Sequence, residues 1–412
     1  MLRWTTVCRM GLALCLAMAI GRAGAAESSE SANAAPKGSL LIIGGALRAD
    51  NAEVWDRMVQ LAGGKGARIA VVPTAAGNPE RSGHSLATRL NQHGADAFVV
   101  PLSAKYPGAD VRTVAESAEL AASIRSAGGV YFTGGDQARI TQALVHADGT
   151  PSTVLQAIWE VYRRGGVIAG TSAGAAIMSS TMYYDAKTVF GTMSVGVRDG
   201  IELAPGLGFA GSEVFIDQHF LARGRFARML PAMLKKGYRL GLGIDENSAM
   251  VIGPGRDVEV LGYQGAILID LSQATSAAEL KDFNVQNARI SYLDHGDRYN
   301  LKTGVYTPSA DKIAGKLDPA APDLHEPVFS YDILGHNALL VTMEKLITNA
   351  ETQAIGIAIP GPTDTRQDTG YEFLFRRLPE SAGYESASSD AYSILNLRLD
   401  VRPVKMTLPL YR

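Results

Sequence analysis

Val167-Ile168-Ala169-Gly170-Thr171-Ser172-Ala173-Gly174-Ala175 carries the pattern G-x-S-x-G between a short apolar run and a run of small residues. Val167 to Ala169 reads as a strand, and the small residues from Ala173 onward can begin a helix. A sharp strand-to-helix turn of this kind lifts a serine hydroxyl out of a sheet, with glycines allowing the chain to pass close to itself. Free N–H groups at the start of the following helix suit a developing oxyanion. Ser172 is therefore a candidate nucleophile. The bland alternative is a Gly/Ala-rich turn that only packs a helix on a sheet.

The surrounding chain supports a sheet. Leu40 to Ile43, Arg68 to Val72, Ala97 to Val100 and Gly129 to Phe132 are short apolar runs, each followed by a segment with helical spacing: Asn51 to Ala62, Arg81 to His93, Val114 to Arg125, and the stretch up to Arg164. Continuous apolar strands alternating with helices predict a mostly parallel sheet covered on both faces. Sites in such sheets lie outside the carboxyl ends of the strands. Gly44-Gly45, Pro73-Thr74, Gly134-Gly135 and Ser172 all fall there.

Beyond Ser172, Thr181 to Gly200 reads as a loop. Glu213 to Asp217 is a strand and Phe226 to Lys235 a helix. Gly241 to Asp245, Met250 to Ile252 and Val258 to Leu261 are further strands, expected as antiparallel additions. After about Asp297 the pattern changes. Thr307 to Pro327 reads as a linker, Leu339 to Ile347 as a helix, and Leu395 to Val401 as an alternating half-buried strand. The expected organisation is a catalytic α/β domain over 38–297 and a small C-terminal α+β appendage over 298–412.

The first residues look like an export signal: Arg3 and Arg9, an apolar run from Met10 to Ile20, then Ala23-Gly24-Ala25. A signal peptide over 1–25 and a disordered linker over 26–37 follow from this reading, with a secreted or periplasmic product and no membrane association after cleavage. Both cysteines, Cys8 and Cys15, lie in the leader, so no disulfide or thiol chemistry is expected in the mature chain. The 412 residues are 46% apolar and 19% charged, with a formal net charge of −2. That charge gives no support for a nucleic acid or an anionic membrane as partner. No H-E-x-x-H, cysteine pair or clustered Asp/His pattern is present, so neither a metal nor a cofactor is expected.

A serine nucleophile needs a base and an orienting acid. Among seven histidines, His219 follows a buried strand in Asp217-Gln218-His219-Phe220, which would deliver it to the same cleft. Asp245 or Glu246 could orient it, and periodicity alone does not choose between them. The resulting order, Ser-His-acid, differs from the Ser-acid-His order of α/β-hydrolases. Arg223, Arg225 and Arg228 sit near a helix start, where cations oppose the dipole. Guanidinium forks there suit substrate carboxylates.

Thr133-Gly134-Gly135-Asp136-Gln137, Gly170 to Ala175, Asp217 to Phe220 with the three arginines, and Asp245-Glu246-Asn247 together resemble the cyanophycinases, of the serine peptidase family that also includes aspartyl dipeptidase. The resemblance spans Gly38 to Tyr292. It implies a class I glutamine-amidotransferase-like α/β fold, with Ser172 as nucleophile, His219 as general base and acid, and Glu246 rather than Asp245 as orienter. Backbone N–H groups near Gly135 and Ala173 would form the oxyanion hole. Gln137, Asp217, Gln218, Arg223, Arg225, Arg228 and Asn247 would line the substrate pocket. The implied substrate is cyanophycin, a polyaspartate with arginine on each β-carboxyl, cleaved from an end to β-Asp-Arg dipeptides. The alternatives are an aspartyl or isoaspartyl dipeptidase acting on short acidic peptides, or a non-catalytic binding protein of the same fold. The appendage lies outside the resemblance, leaving three roles open: a polymer-binding module, a contact in a homodimer, or a lid.

Overall fold

The computed structural model describes residues 35–407 other than Pro107 and Ala109. The expected signal peptide and the first part of the expected linker lie outside the described residues. Lys37 is already anchored, its N–H donating to Arg163 O at 3.3 Å.

The first half alternates strand and helix. In order it forms β1 (Ser39–Ile43), α1 (Ala52–Leu61), β2 (Arg68–Val72), α2 (Pro79–Gln92), β3 (Asp96–Val99), α3 (Val111–Ala115), α4 (Ala118–Arg125) and β4 (Gly129–Phe132). Then come α5 (Gln137–Leu144), α6 (Thr153–Arg164), β5 (Val167–Thr171) and the single turn α7 (Ala173–Ala176). Local chemistry sets the helix starts. The side chains of Asn78 and Ser152 accept the N–H groups of Arg81 and Leu155 at 3.0 and 3.2 Å. The helix expected over Val114 to Arg125 is two helices, because Ser117 breaks it and caps α4 through Leu120 N at 3.2 Å.

The next segment holds β6 (Thr181–Tyr183), α8 (Val189–Val195), β7 (Leu203–Pro205), β8 (Val214–Gln218) and α9 (Phe226–Lys236). The stretch read as a loop from Thr181 to Gly200 thus contains a strand and a helix. Strands β9 (Leu240–Ile244), β10 (Ser248–Ile252), β11 (Asp257–Gly262), β12 (Ala266–Asp270) and β13 (Val285–Leu293) follow. The remainder forms β14 (Arg298–Asn300), β15 (Tyr306–Thr307), β16 (Val328–Ser330), α10 (Ala338–Ile347), β17 (Gln353–Ala358), β18 (Thr369–Arg376), β19 (Ala382–Glu385) and β20 (Tyr392–Lys405).

These strands make two large mixed sheets rather than one. The first runs β15-β14-β11-β10-β1-β5-β4-β2-β3. Its five strands from β1 to β3 are parallel, and β10, β11, β14 and β15 add to it antiparallel. The second runs β16-β17-β18-β20-β13-β12-β9-β8, with β19 on β20. The architecture is α/β. Strand β9, expected as an antiparallel addition, pairs parallel with β8 and antiparallel with β12.

The described part of the expected appendage, residues 298–407, is not separate from the rest. Strands β14 and β15 extend the first sheet, and β20 inserts between β13 and β18 in the second. The physical reason is burial on a shared face. Ala288, Ile290 and Tyr292 of β13 and Ile394, Leu397, Leu399 and Val401 of β20 join one apolar core. The expected linker is also tied down: Lys312, buried, reaches Asp294 Oδ2 at 2.7 Å. Among the described residues no helix is long and apolar enough to cross a membrane.

Candidate active site

The site grows from the end of β1. Three consecutive carbonyls there, of Ile43, Gly44 and Gly45, accept the backbone N–H groups of Ser172, His219 and Asn247 at 3.0, 3.0 and 2.8 Å. One strand end therefore sets the mutual positions of three segments drawn from distant parts of the chain. Sequence reasoning placed Gly44-Gly45 at a strand end but did not read it as the organising element.

Ser172 sits between β5 and α7 with φ +52° and ψ −109°, a conformation a non-glycine residue adopts only under constraint. The flanking glycines make that turn feasible. A β-carbon on Gly170 would lie 2.1 Å from Gly174 O, so the returning chain could not fold back over any larger residue. The Ser172 hydroxyl lies 2.8 Å from His219 Nε2, and His219 Nδ1 lies 2.5 Å from Glu246 Oε1. With the proton on Nδ1 donated to the carboxylate, Nε2 is left to accept the serine O–H.

Burial holds His219 below the ordinary histidine range. The Glu246 bond opposes that shift, while the positive charges of Arg223 and Arg225 reinforce it. The imidazole is thus neutral and able to take a proton at pH 7. Asp245 does not reach the imidazole. Its carboxylate is buried and accepts the N–H of Ala222 at 3.2 Å. Burial raises its pKa, with the neighbouring Glu246 charge adding to the shift.

On the other side of Ser172 lies the Gly134-Gly135 turn after β4. A β-carbon on Gly134 would sit 3.3 Å from Ser172 Cβ and 3.8 Å from Oγ, so this backbone borders the hydroxyl directly. Ala173 is the first residue of α7, where a helix N–H has no partner within the helix. Gln137 opens α5, and its Nε2 donates to Tyr183 O at 2.7 Å, tying that turn to β6.

The remaining pocket candidates divide sharply. Arg223 is exposed, its guanidinium 3.9 Å from Glu246 Oε1, and is free to face a ligand. Arg225 is largely buried and donates to both Gln218 O and Gln218 Oε1 at 2.7 Å. Burial pushes its pKa down to about 10 despite the charge of Asp217. Gln218 is itself buried against it.

Asp217 and Arg228 were expected to line the pocket, but they form a buried bidentate pair, with Nε to Oδ2 and Nη2 to Oδ1 both 2.7 Å. The Arg228 guanidinium also lies 4.3 Å from the centroid of the Tyr183 ring. Both charged groups are already matched inside the protein, so neither presents a free charge to a substrate. Asn247 is likewise engaged: its Oδ1 accepts Arg48 N at 3.0 Å and Asn51 Nδ2 at 3.1 Å, and its φ of +55° turns the chain after Glu246.

Gly45, placed at a strand end by the sequence, packs on the His219 ring. Two further neighbours, Leu334 and Asn337, went unread in the sequence. Leu334, from beyond the expected domain boundary, lies against Gly224, and Asn337 N donates to Leu221 O at 3.1 Å. The C-terminal part of the chain thus buttresses the loop that follows His219. Among the described residues no group of three or more His, Cys, Asp or Glu side chains is arranged to hold a metal ion.

The chain is similar to known proteins. Peptidase family S51 matches residues 40–257. A cyanophycinase of Trichormus variabilis is 31% identical over 289 residues, which is 68% of this chain and 91% of that protein. A cyanophycinase of Geminocystis herdmanii is 35% identical over 277 residues, 65% of this chain and 95% of its own length. A solved peptidase from an acI-B1 Actinobacterium aligns with 65% of this chain and 98% of its own, at 20% identity and a TM-score of 0.48. The chain belongs to peptidase family S51 and is a serine-type peptidase.

Proposed function

We propose that this peptidase is exported and hydrolyses cyanophycin to β-Asp-Arg dipeptides through an acyl-enzyme at Ser172. The observation that carries the chemistry is the continuous path from Ser172 Oγ through the His219 ring to Glu246. Likeness to the cyanophycinases over most of their length supports the substrate. Arg3, Arg9, the apolar run to Ile20 and Ala23-Gly24-Ala25 support export.

In this reading Ser172 attacks the backbone carbonyl while its proton passes to His219 Nε2. Glu246 holds the imidazole in the required tautomer and stabilises the imidazolium. The tetrahedral oxyanion sits against the N–H groups of Ala173 and Gly135. His219 then gives its proton to the departing amine. Water, activated by the same imidazole, releases the acyl group and restores the serine. Arg223, exposed beside Glu246, holds a substrate carboxylate. The buried Asp217–Arg228 pair fixes the strand that delivers His219 and does not touch substrate.

The test is incubation of the mature protein and Ser172→Ala with insoluble cyanophycin, reading soluble products by mass. β-Asp-Arg release by the wild type alone supports the reading. Cleavage of short aspartyl peptides with no action on the polymer overturns the substrate assignment, and turnover by Ser172→Ala overturns the nucleophile.

A further inference from the structure

A cavity is lined by residues adjacent in the chain to those of the active site. It has a volume of about 420 Å³, within the roughly 300–1,000 Å³ of ordinary ligand pockets. Ala46, Thr133 and Thr171 line it. Ala46 follows the glycine packed on His219, Thr133 precedes the glycine packed on Ser172, and Thr171 precedes Ser172 itself. The cavity is therefore one residue along the chain from the site in three segments, those that follow β1 and β4 and the end of β5. Its opposite wall is α2, which contributes Ser82, Ser85 and Arg89.

Three features of this cavity call for a cause. Thr133, only 6% exposed, has a hydroxyl with no hydrogen-bond partner. Buried hydroxyls are normally paired, and the exceptions call for a cause. Ala46 holds φ +46°, a strained conformation for a residue with a β-carbon, and such strain concentrates at ligand clamps. Arg89 is the single charged group among the described lining residues, and no carboxylate lines the cavity to neutralise it.

The polar groups here are a guanidinium and hydroxyls, all able to donate. That set matches an anion with several acceptor oxygens and repels the substrate's own guanidinium groups. We infer that this cavity is a carboxylate subsite of the peptidase, with Arg89 taking the carboxylate and Thr133 supporting it from the floor. The inference rests on the acyl-transfer reading at Ser172. In a polyaspartate whose arginines are joined through their amino groups, two kinds of carboxylate are available: the backbone terminus and the free carboxylate of each arginine. The chemistry is shared, and the choice between them is an outcome of the test.

The test uses the full mature chain carrying Ser172→Ala, so that binding is read without turnover. A two-unit β-Asp-Arg peptide is titrated in three forms: unmodified, amidated at the backbone terminus, and amidated at the arginyl carboxylates. Adding Arg89→Met is expected to weaken binding of the unmodified peptide about tenfold or more, as for loss of a charge-assisted hydrogen bond. It should leave unchanged the one amidated form that has already lost the anchoring carboxylate, which names the source. Arg89→Lys should recover part of the loss, which a merely structural role would not produce. Thr133→Val is the second variant should Arg89→Met fail to fold, and is expected to weaken the same form several-fold. Unchanged affinity in both variants overturns the subsite, as does an equal loss for all three peptides.

Failure of the polymer reading is distinguishable. If the wild type does not cleave the β-Asp-Arg peptide but does cleave Asp-containing dipeptides, the titration is repeated with those dipeptides and their amides. Dependence on Arg89 there still supports the subsite, and independence overturns it.

Discussion

The α-carbon of Gly45 faces the imidazole of His219 so closely that a β-carbon there would lie 2.2 Å from Cε1 and 2.5 Å from Nε2. The same glycine has φ +122° and gives its carbonyl to Asn247 N at 2.8 Å. It therefore fixes the ring from one side and the turn carrying Glu246 from the other. Gly45→Ala should displace the imidazole by about an ångström. Misplacement on that scale lowers kcat by about a hundredfold. Steady-state kinetics beside a thermal melt checks this: kcat falls while most of the folded population is retained. Activity within a few-fold of wild type would mean that the ring does not depend on this contact.

The two neighbouring acids separate cleanly by geometry. Glu246 contacts His219 Nδ1 at 2.5 Å, whereas Asp245 turns away to Ala222 N at 3.2 Å. Glu246→Gln would present an amide that can donate where the ring must donate, favouring the wrong tautomer. A loss of about 10⁴-fold in kcat is expected, by analogy with the corresponding change in serine proteases. Asp245→Asn keeps an acceptor oxygen for Ala222 and should leave kcat within about fivefold. The reverse ranking would reassign the orienting acid.

The pH profile follows from charge around His219. Burial, with Arg223 and Arg225, holds its pKa below the ordinary value, against the pull of Glu246. Only the neutral imidazole accepts the serine proton, so the acidic limb of kcat/KM should lie below the usual histidine midpoint of about 6.5. Arg223→Met removes one of the opposing positive charges. His219 then protonates more readily, and the limb should move to higher pH. Raising the salt concentration should shift the wild-type limb in the same direction, because Arg223 is exposed and its field is screened. A limb that moves to lower pH in Arg223→Met would contradict this electrostatic picture.

How much of this was legible in the sequence depends on distance along the chain. The parallel strands are continuous apolar runs, and each is followed closely by a helix, so their order could be read locally. The two-sheet arrangement could not. Strand β20 was recognisable from the alternation of Leu395 to Val401, but its partner β13 lies more than a hundred residues earlier, at Val285↔Val401. Alternation announces a strand and says nothing of its neighbour. The arginines are a different case. Arg223, Arg225 and Arg228 look like one cationic patch, yet Arg228 is embedded among Phe226, Ala227, Met229 and Leu230, all buried. A charge inside such a run must find a partner in the interior, and Asp217 is the acid that the preceding strand supplies. That signal was present and points to a structural pair.

The Asp217–Arg228 pair yields a stability prediction. Both groups are buried, and removing one leaves the other without a counter-charge. Asp217→Asn should destabilise the fold by about 3–5 kcal/mol, read from denaturant unfolding. Burial raises the Asp217 pKa, but Arg228 and Arg225 outweigh it and hold it below the usual carboxylate value. The pair's contribution is accordingly complete above the unfolded-state value of about 3.9 and is lost as the pH falls through the lowered native one. The difference in stability between wild type and Asp217→Asn should therefore be constant at neutral pH and shrink in strong acid.

The last prediction concerns where the chain can be cut. A boundary near Asp297 would leave a self-sufficient catalytic domain if the rest were an appendage. The sheet order argues otherwise, because β20 lies between β13 and β18, and its removal exposes the whole length of β13. Ala288, Ile290 and Tyr292 would lose their buried partners, and an unpaired apolar edge invites aggregation. The support that Leu334 and Asn337 give to the loop after His219 would go as well. Truncation after Asp297 should thus yield insoluble or unfolded protein, and co-expression of residues 298–407 as a separate chain should restore soluble, active material. A soluble truncated enzyme with wild-type kcat would show that the second sheet is complete without its C-terminal strands.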